Sequence, residues 1–364
     1  VDMMNDLVDV ITPKAFTDFG VWGLCLGDLN NHELAPLDKA GVVGFKFFWG
    51  YAIDSKSYQL IYNYDPSMKD VIPPLDDGEV LKIFREVAKT GKMVAIHAEN
   101  FYIIKMLTEE VKSSGDKSYA AMLRSRPVVS ETTVIESAIK IAEETGAHLH
   151  ILHLACGEGV DLIREAQKKG INVTGETCPH YLALTDKDAE AVGPLIKGYP
   201  PVRTQHDQDK LWEGLRDGTL THICSDHAPH SVEEKQKGLW EGPAGMATIE
   251  TMSMVVLDAV NRGKICINDA ARLLSENPAK LYGTYPMIGS VQVGTDADFA
   301  IVDLDLEYVF HQESMHSRTK LSPYNGRKFK GKVVKTILRG NTIAQNSEIV
   351  GQPGGRLIKP LCDQ

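Results

Sequence analysis

The chain has 364 residues, 43% hydrophobic and 24% charged, with a net charge of -10. That length supplies one large α/β domain plus a smaller appendage, and an acidic balance without a clustered basic stripe excludes a nucleic-acid surface. No stretch approaches the roughly 20 uninterrupted apolar residues of a spanning helix, and the opening VDMMNDLVDV has neither the basic start nor the apolar centre of a signal peptide. A small-molecule partner and a cytoplasmic setting are therefore expected. Six cysteines, at positions 25, 156, 178, 224, 266 and 362, show no CxxC pair and no regular spacing. They are expected to be reduced, mostly buried as small apolar residues, and not nucleophiles.

In chain order, the first apolar run of interest is GVVGFKFF, which carries Lys46 inside a strand-like segment. Residues 54–77, including YQLIYNYDPSMKDVIPPL, read as a long loop able to act as a lid or substrate wall. DGEVLKIFREVAKTGK follows as a helix with Val80, Ile83, Phe84 and Val87 on one face, feeding the strand MVAIH that ends in His97. SETTVIESAIKIAEETG reads as a second helix, with Ser130 as N-cap, a stripe at Val134, Ile135, Ala138, Ile139 and Ala142, and Gly146 as stop. It enters LHILHLA, whose tip is His153. GVDLIREAQKKG precedes INVTGETC, and QDKLWEGLRDGTL precedes THICSD, whose tip is Asp226. Four helix-then-strand units in succession predict a parallel sheet closed as a TIM-type (β/α)8 barrel. After about Gly283 the runs SVQVGTDADFAIVDL, KVVKTILRG and NTIAQ are β-type without helices between them. The expected division is a barrel over 1–285 and a small β-sandwich-like appendage over 286–364.

In such a barrel the carboxyl ends of the strands meet on one face, so imidazole, imidazole and carboxylate at three tips converge on a metal-sized spot. Neutral imidazoles and a carboxylate hold a divalent ion while leaving it able to acidify water. Taken singly, each residue has a plainer reading: a strand-end histidine is more often a hydrogen-bonded core or surface residue, Asp226 can cap the turn after it, and a buried lysine is more often ion-paired or snorkelling. Their joint occurrence at four strands favours the metal site.

Lys46, His97 in HAEN, His153 in ILHLA, GETCPHYL at 175–182 and SDHAPH at 225–230 together resemble the cyclic amidohydrolases of the amidohydrolase superfamily: hydantoinases, dihydropyrimidinases, allantoinases and dihydroorotases. NPAKLYG at 277–283, GSVQVGTDADFAIVD at 289–303 and SPYNGRKFKGKVVKTILRG at 322–340 extend the resemblance over nearly the whole chain. It implies two divalent metal ions, usually zinc, bridged by a carbamate on Lys46. His97 and His153 would bind the more exposed ion; Asp226 would bind the buried ion and act as general base, then acid, as a metal-bridging hydroxide attacks the ring carbonyl. Tyr51 matches a tyrosine placed against the developing oxyanion, although packing at the loop base serves equally well as its role. The resemblance also puts His180, Gly242 and Gly245 beside the substrate ring, with His230 either there or in a structural role, and implies a homo-oligomer, dimer or tetramer.

In the family pattern a His-x-His pair on the first barrel strand holds the buried ion. Before Lys46 the only histidine is His32, and HLH at 148–150 stands at the wrong place. VDMMNDL reads as the end of a second strand, so the expectation is a barrel lacking its first strand, with the N-terminal part missing from the sequence. Function is then expected to be ring opening of a cyclic amide or ureide, with a hydantoin or dihydropyrimidine first, and allantoinase or dihydroorotase as alternatives. A non-catalytic relative acting as a binding or assembly protein is the alternative of another class.

Overall fold

The computed structural model describes residues 1–361. Of the six cysteines, Cys362 lies outside this range, and the five within it are unbridged.

Six parallel strands form one sheet in the order β1 (Trp22–Leu24), β2 (Gly44–Trp49), β3 (Met93–Ala98), β4 (His148–Ile151), β5 (Val173–Thr177) and β6 (His222–Ile223). Strands adjacent in sequence are adjacent in space, the arrangement of a TIM-type barrel wall. Four helices, α1 (Asp77–Ala88), α2 (Val128–Thr145), α3 (Gly157–Lys168) and α4 (Gln205–Asp217), stand before β3, β4, β5 and β6 as the periodicity predicts. No helix among the described residues is long and apolar enough to cross a membrane.

Helix α1 starts because Asp76 accepts from the Glu79 backbone N–H while the Glu79 carboxylate accepts from that of Asp76, a reciprocal cap. It buries Val80, Ile83, Phe84 and Val87, and Phe84 meets Phe47 of β2 edge-on, with ring centres 6.3 Å apart. Helix α2 begins two residues before the expected Ser130 cap. Pro127 occupies the N-cap position in an extended conformation, and Ser130, inside the first turn, donates its hydroxyl to the Pro127 carbonyl at 2.7 Å. Gly146 ends the helix at φ +71°, as expected for a left-handed cap.

Two segments differ from the sequence reading. Residues Asp2–Ile11 form a helix rather than the end of a strand; their apolar residues suit a helical stripe, of which Met4 is buried. The expected loop over 54–77 includes two short strands, Leu60–Ile61 and Val71–Ile72, which pair antiparallel on either side of Ala52–Asp54. Strands this short leave almost no alternation to detect.

Near the C-terminus β7 (Phe299–Val309), β8 (Lys328–Leu338), β9 (Asn341–Gln345) and β10 (Glu348–Ile349) form a single antiparallel sheet. It joins the barrel through helix α5 (Ile249–Asn261), where the Asn261 amide donates to the carbonyls of Leu304 and Lys330. At Gly331, with φ +95°, an added Cβ would lie 2.9 Å from that of Leu257, so the close approach requires glycine. The chain then returns to the barrel: Leu357 bridges to Phe19, and Arg339 pairs with Asp18 at 2.6 Å.

Replacing Phe84 with Ala should lower unfolding free energy by about 3–5 kcal/mol, because the fully buried ring bridges α1 and the sheet. Urea denaturation measures this, and a loss below about 1 kcal/mol would contradict the packing described.

Candidate metal and catalytic centre

The candidate residues collect at the carboxyl ends of the parallel strands. Lys46 lies within β2, with its ammonium 4.5 Å from the centre of the Phe48 ring; that ring is 5.9 Å from His97. His97 is the penultimate residue of β3, and His153 lies just past β4. His97 Nδ1 and His153 Nε2 are 3.1 Å apart in a buried position.

Neighbouring charges decide which nitrogen of His97 is available. His97 Nε2 donates to the Glu99 carboxylate at 2.8 Å, so in the neutral ring Nδ1 is the bare nitrogen, and it is the one facing His153. Glu99 is fully buried and accepts two 2.8 Å bonds from Arg126 Nη1 and one of 2.5 Å from the Tyr51 hydroxyl. Burial alone would raise the Glu99 carboxyl, but the Arg126 charge and the His97 contact outweigh it and hold it well below the usual carboxylate range. Arg126 also donates to the Tyr51 oxygen at 2.9 Å and stacks on Tyr199 at 3.3 Å. Tyr51 is thus engaged on both sides, its ring edge-on to His97 at 4.8 Å.

His153 and Asp226 both adopt left-handed backbone, φ +36° and +43°. For residues other than glycine this conformation is costly, about 1–3 kcal/mol each, and such strain concentrates at functional sites. Burial pulls the His153 imidazole down to about 4, outweighing the nearby Asp226 charge, so the ring is a neutral donor at neutral pH, and its Nδ1 has no hydrogen-bond partner. His180, likewise buried and shifted to about 4, has an unpartnered Nδ1 and a ligand atom within 4.8 Å of both Cys178 and Asp226.

The remaining residues shape the loop after Asp226. His227 Nδ1 accepts the backbone N–H groups of Thr248 and Ile249, and His230 Nε2 donates to the Ala244 carbonyl at 2.8 Å. Gly245, at φ +130°, passes where a Cβ would come within 2.5 Å of the Ala228 carbonyl. Lys197, its amine lowered to about 8 by burial, donates to the Gly242 and Trp240 carbonyls. Sequence reading did not single out Glu99, Arg126 or Lys197. Glu99 stands two residues from His97 in the quoted HAEN, and that proximity was the available signal.

The donor set fits a divalent ion. Two imidazole nitrogens 3.1 Å apart approach the edge of a tetrahedral zinc shell, about 3.4 Å for bonds of about 2.1 Å, and the carboxylate that orients His97 is the usual support of a metal-bound imidazole.

A family model described as "Amidohydrolase family" matches residues 70–343. An L-hydantoinase of Paenarthrobacter aurescens is 36% identical over 329 residues, covering 89% of this chain and 69% of that protein. An allantoinase of Deinococcus radiodurans is 36% identical over 351 residues, 95% of this chain and 74% of that one. The solved structure of an L-hydantoinase (dihydropyrimidinase) from Arthrobacter aurescens superposes with a TM-score of 0.90 at 34% identity, covering 98% of this chain and 77% of the other.

Replacing Arg126 with Met leaves Glu99 buried without its cation and should cost about 3–5 kcal/mol near neutral pH. The wild-type Glu99 contribution is present above the carboxylate range and is lost as pH falls through its depressed folded value. In the variant the Glu99 value rises, so its deficit should narrow on acidification. Urea titrations at neutral and mildly acid pH test this, and a deficit independent of pH would contradict it.

Proposed function

The chain belongs to the amidohydrolase family, and from that premise we propose how its residues open a cyclic amide. It is a hydrolase of cyclic-amide C–N bonds. A hydantoin or dihydropyrimidine is the substrate we favour, because similar proteins carry the names L-hydantoinase and dihydropyrimidinase. The allantoinases among its relatives make allantoin the second candidate. The observation that carries the reading is the pair of facing imidazole nitrogens of His97 and His153, the former oriented by buried Glu99.

In this reading the enzyme is metal-dependent, with two divalent ions, zinc by preference. His97, His153, Asp226 and Lys46, the last as a carbamate, would hold them. Bound there, the ions would acidify a water and polarise the ring carbonyl. Asp226 takes the proton released as the carbonyl is attacked and returns it to the departing ring nitrogen. Tyr51 donates to the developing oxyanion after rotating its hydroxyl away from Glu99, while Arg126 stays on the carboxylate. His180 faces the substrate beside Asp226, and His230, Gly242 and Gly245 form the wall along the ring, with glycine permitting close backbone approach. We further assign the chain to the cytoplasm, as a dimer or tetramer, with residues 1–285 as the catalytic barrel and 286–364 as the appendage.

Purified protein supplied with zinc and bicarbonate should hydrolyse hydantoin, dihydrouracil or allantoin, followed by loss of ring absorbance. Lys46→Ala should abolish both turnover and the paired metal content; unchanged metal would remove the carbamate assignment. Asp226→Asn should lower kcat by about 10²–10⁴-fold. Tyr51→Phe should lower kcat by about 10²–10³-fold with metal content retained, and an unchanged kcat would return Tyr51 to a packing role.

A further inference from the structure

Below the strand tips, the same strands carry a second cluster. His150 on β4 precedes His153 by three residues, Glu176 on β5 precedes Cys178 by two, and His222 on β6 precedes Asp226 by four. Glu176 Oε2 lies 2.7 Å from His222 Nε2 and 3.3 Å from His150 Nε2, and the two imidazoles stack with ring centres 5.5 Å apart and planes 10° apart. All three side chains are buried, at 0–5% exposure.

These distances are those of hydrogen bonds, but the angles are not. His150 Nε2 and His222 Nε2 have no hydrogen-bond partner, and His222 Nδ1 has none either. A carboxylate shared by proton donation would draw each N–H onto the N···O line. Side chains that converge on one ion instead sit along the edges of its coordination shell, close together with their lone pairs aimed at a common point. The 3.3 Å Glu176–His150 separation matches a tetrahedral zinc edge of about 3.4 Å, and the 2.7 Å Glu176–His222 separation would have to open to reach it. Left as donors without acceptors, the buried nitrogens would cost about 1–3 kcal/mol each.

The surroundings suit a cation. His150 Nδ1 is paired with the Thr174 hydroxyl at 2.8 Å, which fixes the ring and directs Nε2 to the cluster. Tyr282 closes one side, its ring edge-on to His222 at 6.0 Å. Two imidazoles and a carboxylate, mutually within 4.8 Å, make a donor set for zinc or an ion of similar preference.

We propose that His150, Glu176 and His222 form a separate divalent-cation site that clamps β4, β5 and β6 from inside the barrel. It shares no ligand with Lys46, His97, His153 and Asp226. Its place is structural: it joins three strands at the level beneath the tips and leaves one coordination position for a small ligand. Because the ligands come together only on folding, the ion would be taken up as the barrel forms.

Elemental analysis after extensive dialysis of zinc-loaded protein tests the proposal. His153→Ala, which removes a ligand from the upper pair only, should hold about one tightly bound zinc per chain more than the same variant with Glu176→Gln added. Equal zinc content in the two variants would overturn the assignment. A zinc-edge anomalous difference map of wild-type crystals provides a readout independent of how the double variant folds. A peak in contact with His150, Glu176 and His222 supports the site, and flat density there after zinc loading overturns it.

Discussion

The buried Arg126–Glu99 pair is the interaction on which the rest of the centre depends. A carboxylate with no solvent exposure is tolerated only because Arg126, Tyr51 and His97 all direct protons at it. Occupying His97 Nε2 leaves Nδ1 bare and turned toward His153. The pair therefore does more than stabilise the interior: it selects the tautomer that the proposed metal site requires of His97. Arg126 is itself held from outside, since Arg203 donates to its carbonyl while pairing with the buried Glu131. Charge balance at the strand tips is thus supported by a second buried ion pair.

The backbone contributes as much as the side chains. Parallel strands bring their carboxyl ends to one face, so side chains far apart in sequence need only occupy equivalent positions to meet. At β4 and β6 the chain turns out of the strand through left-handed residues, His153 and Asp226, where other sequences would place glycine. Keeping His153 and Asp226 at these positions means accepting local strain that the packed barrel beneath them absorbs. Gly50, at φ +103°, serves the same end differently. A Cβ there would lie 2.2 Å from the Glu99 carbonyl, so β2 and β3 approach at their tips only with glycine present.

Much of this was legible in the residues. Four helix–strand units, the buried stripe of α1, the Gly146 stop and the tips bearing His97, His153 and Asp226 follow from local periodicity and end signals, which short windows capture. The partners that make the tips work were not legible. Arg126 lies 27 residues beyond Glu99, and Arg203 lies 72 beyond Glu131; nothing in local composition announces that such residues will meet. The short antiparallel strands at 60–61 and 71–72 and the early start of α2 at Val128 were missed for a related reason. Two-residue strands carry no period, and Ser130 competes as a cap on type alone while the backbone before it decides the start. Tyr51 illustrates the limit best: its match to a family tyrosine implied an oxyanion contact, but nothing in the residues indicated that Glu99 and Arg126 would flank its hydroxyl.

The central claim is that His97 and His153, oriented through Glu99, hold a divalent ion used to open a cyclic amide. The most direct measurement is hydrolysis of hydantoin and allantoin by the protein before chelation, after chelation, and after zinc is returned. The account predicts turnover that disappears with the metal and is restored by it. Turnover unaffected by complete metal removal, or no hydrolysis of any cyclic amide by the zinc-loaded protein, would contradict it.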